Sequence, residues 1–142
     1  MAPKITNVLF DLDGTLTDSR PGILRTIQHA LRSLSLEPPC EDDLLWCVGP
    51  HLRNTFARLL TNGDGATIEQ AVNAYVERYD LVGHRENRVY DGVPAMLGNL
   101  GVNRQLVLVT AKRQRIAESI LELFGLSPHF KGVFGISLRY TY

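Results

Sequence analysis

Two carboxylates stand one residue apart in VLFDLDGTLTDS, Val8 to Ser19, directly after a short apolar run. In an extended chain residues i and i+2 project to the same side, so Asp11 and Asp13 can face one cavity. Brought together there they repel each other and lose hydration, which is costly without a counterion. A divalent cation resolves the conflict. Magnesium is hard, prefers oxygen and commonly binds one or two carboxylates together with substrate phosphate. Gly14 permits a sharp departure from the strand and leaves room for backbone N–H groups to approach a ligand. Asp-x-Asp alone, in a turn or cap, often only satisfies backbone groups. This one follows a buried strand, and a second apolar strand ends in a hydroxyl and a cation, Thr110-Ala111-Lys112.

Other chemistry-bearing residues carry two readings each. Lys112 either contacts phosphate or belongs to the solvated basic run Lys112-Arg113-Gln114-Arg115. Arg53, in Gly-Pro-His-Leu-Arg, either binds a substrate carboxylate through its planar fork or lies on a solvated helix face. His51, His84 and His129 have no sequence partner that makes them more than surface or satisfied histidines, and Trp46 is expected in a core.

The elements that must position these groups follow from periodicity. Ile5 to Phe10 is expected as a strand, its Val-Leu-Phe end suited to burial on both faces of a sheet. Ser19 and Pro21 start a helix carrying Ile23, Ile27, Ala30, Leu31 and Leu34, which Pro38-Pro39 ends. Leu44, Leu45 and Val48 mark a short helix and Leu52, Phe56, Leu59 and Leu60 another. Asn62-Gly63-Asp64-Gly65 reads as a loop. Thr67 and Gln70 have capping-box spacing ahead of a stripe from Ala71 to Tyr79.

From Ser19 to about Arg88 the chain is expected to be almost wholly helical. A helix from near Pro94 to Gly101 precedes a strand at Leu106 to Val109, with Thr110 at its end. A helix from Ile116 to Phe124 stops at Gly125. Val133 to Ile136 is a weak third strand. Helices separating buried strands predict an α/β fold with a Rossmann-like parallel sheet and ligands at the strands' carboxyl ends.

Bulk properties exclude several classes. At 142 residues the chain has the length of one ordinary domain with a small insertion. Fifteen basic residues balance fifteen acidic ones, so no overall field attracts nucleic acid or an anionic membrane. No apolar run approaches the ~20 residues of a membrane span, and MAPKITNVLF lacks the apolar core of a signal peptide. Cys40 and Cys47 have neither metal-site spacing nor a disulfide framework. The expectation is a cytoplasmic protein with reduced thiols.

Taken together, these residues resemble the haloacid dehalogenase superfamily, most closely its phosphoglycolate phosphatase-like branch. The resemblance runs from about Asn7 to Leu138 and rests on DLDGTLTDS, VGPHLRNTF, ENRVYDGVPAML, LVLVTAKR and LELFGLSPHFKGVFGISL in that order. It implies a core of residues 1–18 and 89–142 and a helical cap of residues 19–88 that closes over the site. It also implies a reaction on a small phosphorylated metabolite. Asp11 would attack phosphorus to give an aspartyl-phosphate. Asp13 would protonate the leaving alcohol and later activate water. Gly14, Thr110, Ala111 and Lys112 would surround the phosphate, and magnesium would bind the Asp11 carboxylate and the Asp13 backbone carbonyl.

The family pattern has two further parts, a lysine beyond the third strand and an acidic cluster after the fourth. No acidic residue follows Glu122, and Lys131 lies before the third strand. The chain is therefore expected to be a fragment, a frameshifted product or a short natural relative. Its function is expected to be phosphatase chemistry, with a non-catalytic phosphate- or partner-binding remnant, or a phosphotransferase such as a mutase, as alternatives. In the family sheet the first strand is central; without later strands it becomes an edge guarded only by Lys4, a route to a homo-oligomer.

Overall fold

The computed structural model describes residues 5–137, so Lys4 and the terminal Leu-Arg-Tyr-Thr-Tyr lie outside the described residues. In chain order the elements are β1 (Asn7–Phe10), β2 (Thr17–Asp18), α1 (Arg20–Ser33), α2 (Leu52–Leu59), α3 (Gly65–Leu81), β3 (Arg88–Val89), α4 (Val93–Gly101), β4 (Gln105–Arg113), α5 (Gln114–Leu123) and β5 (Gly132–Ile136). Short 3-10 turns occupy Asp42–Cys47, Gly83–Arg85 and Ser127–His129. The chain divides into two compact units, Met1–Asp18 with Arg88–Tyr142, and Ser19–Asn87.

The first unit is α/β. Its main sheet has the order β1-β4-β5, all parallel, with α4 and α5 as the crossing helices. Alternation decides what is buried. Leu106 and Leu108 on β4 are buried, as are Val93 and Leu97 of α4 and Ile116, Ala117, Ile120 and Leu121 of α5. Each of the larger side chains among them, Ala117 aside, contributes roughly 1.5–3 kcal/mol when fully buried. The helix α5 ends on paired backbone bonds, Gly125 N–H to Glu122 and Leu126 N–H to Leu121, and Leu126 is buried beneath them.

The opposite row of the same strands is not covered among the described residues. Leu9 is 65% exposed, Val109 44% and Phe134 61%. This corrects the expectation that the first strand is buried on both faces. The physical reason is topology. The order β1, β4, β5 advances in one direction, so two right-handed crossovers place both helices on one side. The strand is also shorter than expected, beginning at Asn7 with Ile5 outside it.

A second sheet, β2 paired antiparallel with β3, was not foreseen from sequence. In it the buried Asp18 accepts from Arg88 Nη2 at 3.2 Å. Two-residue strands so far apart in sequence leave no local periodicity to read.

The second unit is helical. Its core joins Leu24, Ile27, Ala30 and Leu31 of α1 to Leu44, Cys47, Phe56, Leu60 and Ala71. Arg78 binds both carboxylate oxygens of Glu86, at 2.9 and 3.2 Å, and donates to the buried Thr26 hydroxyl at 2.6 Å. Several boundaries move. Helix α1 stops at Ser33, ahead of Pro38-Pro39, and Leu44, Leu45 and Trp46 lie in a 3-10 turn. The cap of α3 is Asp64 instead of Thr67: its carboxylate accepts from Thr67 N and Thr67 Oγ1, both at 2.8 Å. Trp46 is half-buried, with the Arg58 guanidinium 4.1 Å from its ring centroid. His84 is buried, its Nδ1 3.0 Å from the Tyr79 carbonyl, a satisfied core histidine.

Candidate active site

The loop that leaves β1 is built around one carbonyl. The backbone oxygen of Leu12 accepts from the N–H groups of Thr15, Leu16 and Thr17 at 3.2, 2.9 and 3.1 Å, and Gly14 N–H closes the turn on Thr17 O at 2.8 Å. Leu12 and Leu16 are fully buried and plug the loop into its unit. With Leu12 buried, its neighbours Asp11 and Asp13 are exposed and half-buried respectively. Gly14 sits at φ +75°, where any other L-residue would be strained, although a methyl group there would meet nothing.

Asp11 is exposed, and its Oδ1 accepts from Leu12 N–H at 2.7 Å. Asp13 is half-buried. One of its oxygens, Oδ2, lies 3.1 Å from Lys112 Nζ. The other, Oδ1, is buried without a hydrogen-bond partner among the described residues, as is Thr17 Oγ1 in the same loop. A buried carboxylate oxygen left open in this way is a position for a ligand, ion or water.

The expected partner segment does not lie past the end of the second strand. β4 continues through Thr110, Ala111 and Lys112 to Arg113, with an irregularity in its register against β5. Thr110 is buried and its Oγ1 accepts from Lys112 N–H at 3.2 Å, which leaves the hydroxyl proton available to an incoming acceptor. Ala111 is exposed, while the Lys112 side chain is only 10% exposed. Lys112 is thus no solvated member of the basic run. The structure brings Lys112 to Asp13. Arg53 belongs to the other unit, where it is exposed and ion-paired with Glu69.

The donor set around Asp11 and Asp13 is all oxygen, which suits a hard cation. Among the described residues no group of three or more His, Cys, Asp or Glu side chains converges. These residues therefore fit a magnesium ion that keeps water and substrate oxygens in its shell, and do not form an all-protein cage. Sequence reasoning missed Gln114, whose side-chain amide bonds to β5 beside this segment. Between two arginines it reads as a solvated position, and no local signal marks it.

Residues 8–138 match the family model described as haloacid dehalogenase-like hydrolase. A 5'-nucleotidase of Pseudomonas aeruginosa is 42% identical over 99% of this chain and 63% of its own length. A phosphoglycolate phosphatase of Chromobacterium violaceum is 33% identical over 92% of this chain and 62% of its own. Among solved structures, the tyrosine kinase PtkA of Mycobacterium tuberculosis superposes with a TM-score of 0.82 at 34% identity, over 97% of this chain and 63% of that one. The chain thus spans a little over six-tenths of the length of these relatives.

Proposed function

The chain belongs to the haloacid dehalogenase-like hydrolase family, and from that membership we propose a phosphomonoesterase acting on small phosphorylated metabolites. The observation that carries the reading is the 3.1 Å contact that joins Asp13, on the loop after β1, to Lys112, at the end of β4. It joins the loop that carries Asp11 and Asp13 to the segment that carries Thr110 and Lys112, and it supports a site at the carboxyl ends of adjacent strands, where such sheets bind ligands.

In the proposed reaction Asp11, the more exposed carboxylate, forms a bond to phosphorus as the bond to the leaving oxygen breaks. Asp13 delivers its proton to that oxygen. Water then attacks the aspartyl-phosphate, giving its proton to Asp13 and releasing phosphate with Asp11 restored. Splitting the displacement in two lowers each barrier, and a positioned acid or base contributes ~100- to 10,000-fold. The phosphate of an arriving substrate is a second anion for Lys112 to neutralise, and Thr110 can donate to one of its oxygens. Magnesium, held by the Asp11 carboxylate and the Asp13 backbone carbonyl, would supply further neutralisation of phosphate charge.

Substrate candidates follow from the relatives' names: nucleoside monophosphates and phosphoglycolate. A second reading, transfer to an acceptor other than water, is favoured by the likeness to a protein named as a tyrosine kinase. No helix among the described residues is long and apolar enough to cross a membrane, and the free cysteines suit the cytoplasm.

Incubation with these phosphomonoesters and magnesium tests the proposal, with acid quenching to trap an acyl-phosphate. Phosphate release that needs Asp11 is the expected result. Release undiminished in Asp11→Asn, or labelling at another residue, overturns it. Label passing to a tyrosine-containing peptide in place of water selects the second reading.

A further inference from the structure

The register between β4 and β5 breaks at Thr110–Lys112. Val107, Leu108 and Val109 pair in step with Gly132, Val133 and Phe134, but the next pair is Arg113 with Ile136. Thr110, Ala111 and Lys112 therefore stand opposite Gly135 alone. β4 carries two surplus residues, and its backbone must bulge out of the ladder to hold them.

A bulge leaves the facing strand short of partners. The Gln114 side chain supplies them. Its Nε2 donates to Val133 O at 2.9 Å, and its Oε1 accepts from Gly135 N–H at 2.6 Å. The second proton of Nε2 goes to Glu118 Oε1 at 2.6 Å, so the orientation of the amide is determined by three partners. In effect a side-chain amide replaces a peptide unit of β4 in the sheet. Gly135 completes the arrangement. A Cβ there would stand 2.5 Å from the Lys112 carbonyl oxygen and 2.9 Å from Gln114 N and Cα. Only a residue without a side chain lets the bulged strand pass so close.

We propose that Gln114 and Gly135 form a clamp that fixes the Thr110–Lys112 bulge and thereby aims Thr110 and Lys112 at the phosphate of the substrate. They are positioning residues, since neither touches the reacting atoms. The role assigned to the bulge rests on the phosphatase reading above; the clamp itself rests on the register and the hydrogen bonds. Displacing a positioned group by about 1 Å can cost on the order of 100-fold in rate, so loss of the amide should be visible well beyond any loss of stability.

The test compares the wild-type chain with Gln114→Leu, which keeps the bulk and removes all three bonds, and with Ile120→Val. The latter trims a fully buried side chain of the same helix and serves as a destabilised control with the clamp intact. Affinity for inorganic phosphate in magnesium buffer and the backbone amide resonances of Thr110, Ala111 and Lys112 are measured on all three, below their melting temperatures. Affinity about tenfold weaker in Gln114→Leu, with those resonances displaced and Ile120→Val like wild type, is the expected result.

Equal affinity in Gln114→Leu and wild type overturns the proposal, and so does an equal loss in both variants. If the wild-type chain binds no phosphate, the phosphatase reading fails and the clamp is judged on resonances alone. Displacement specific to Gln114→Leu keeps it, and unmoved resonances overturn it. Should Gln114→Leu not fold, Gln114→Glu takes its place. It retains an acceptor for Gly135 N–H and loses the donor to Val133 O.

Discussion

Lys112 Nζ lies 3.1 Å from Asp13 Oδ2, and only a tenth of the lysine side chain is exposed, against about a third of the aspartate. The pair joins the loop after β1 to the irregular end of β4, the two segments that hold the proposed proton carrier and phosphate donors.

Its strength should lie between that of an exposed ion pair and that of a buried one. Exposed pairs contribute ~0–1 kcal/mol, whereas removing one partner of a fully buried pair costs roughly 3–5 kcal/mol. A double-mutant cycle of Lys112→Met and Asp13→Asn, followed by urea unfolding, should give a coupling of about 1–2 kcal/mol. A coupling within error of zero would mean that the contact adds nothing to the folded state.

Rates should separate the three residues of the proposed reaction. Asp11→Asn removes the nucleophile and should abolish turnover, and Asp13→Asn should lower it by ~100- to 10,000-fold. Thr110→Ala loses one hydrogen bond to an anion, worth roughly 1.5–3 kcal/mol, or about 10- to 150-fold in kcat/KM. Steady-state kinetics on one substrate decide the ranking, and a Thr110→Ala defect larger than that of Asp13→Asn would reverse the roles.

Much of this site was legible because its signals are local. Asp11, Asp13 and Gly14 sit in one turn, and the helical stripes of α1, α3 and α5 repeat over many residues. The misses are non-local or ambiguous. β2 and β3 pair across the whole inserted unit, so nothing near Thr17 announces Arg88. Asp64 and Thr67 are both cap-forming types three residues apart, and the choice between them is made by which carboxylate or hydroxyl reaches a free N–H. The bulge at Thr110–Lys112 depends on what β5 offers opposite it, which no reading of β4 alone contains.

Magnesium should bind weakly to the phosphate-free protein. Among the described residues only Asp11 and Asp13 offer carboxylates at the site, and Asp13 already shares one oxygen with Lys112. Phosphate adds oxygen ligands and negative charge, so affinity should rise when it is present. Calorimetric titration with and without a phosphate mimic measures the difference. Tight binding to the phosphate-free chain would point to a ligand not identified above.

The Cys47 thiol is buried and its pKa is pushed up to about 11 from an ordinary 9.0 by desolvation, with Arg58 pulling weakly the other way. In the unfolded chain the thiol ionises near the ordinary value, so between these limits the folded state holds more protons. This group's contribution to stability is therefore complete below about pH 9 and falls as pH rises towards 11. Unfolding curves across that window should slope less steeply in Cys47→Ala, and a thiol reagent at pH 8 should label the exposed Cys40 well before Cys47. Equal labelling rates would contradict the burial of Cys47.

Self-association is the remaining expectation. Among the described residues β1 is paired on one side only, with β4, so its other side presents unpaired N–H and C=O groups. Beside that edge, the row of Leu9, Val109 and Phe134 is exposed and apolar. An edge and an adjoining apolar face together form a template for another strand. Asn7 to Phe10 contains no charge or proline to discourage pairing. We therefore expect the 142-residue chain to associate through β1, with the β1 amides that do not face β4 protected from hydrogen exchange in the associated form. Introducing a charge at the exposed Leu9, as Leu9→Lys, should shift the light-scattering mass towards the monomer while leaving the buried Leu106–Leu108 face intact. A wild-type chain that stays monomeric across a wide concentration range, with those amides exchanging freely, would refute this.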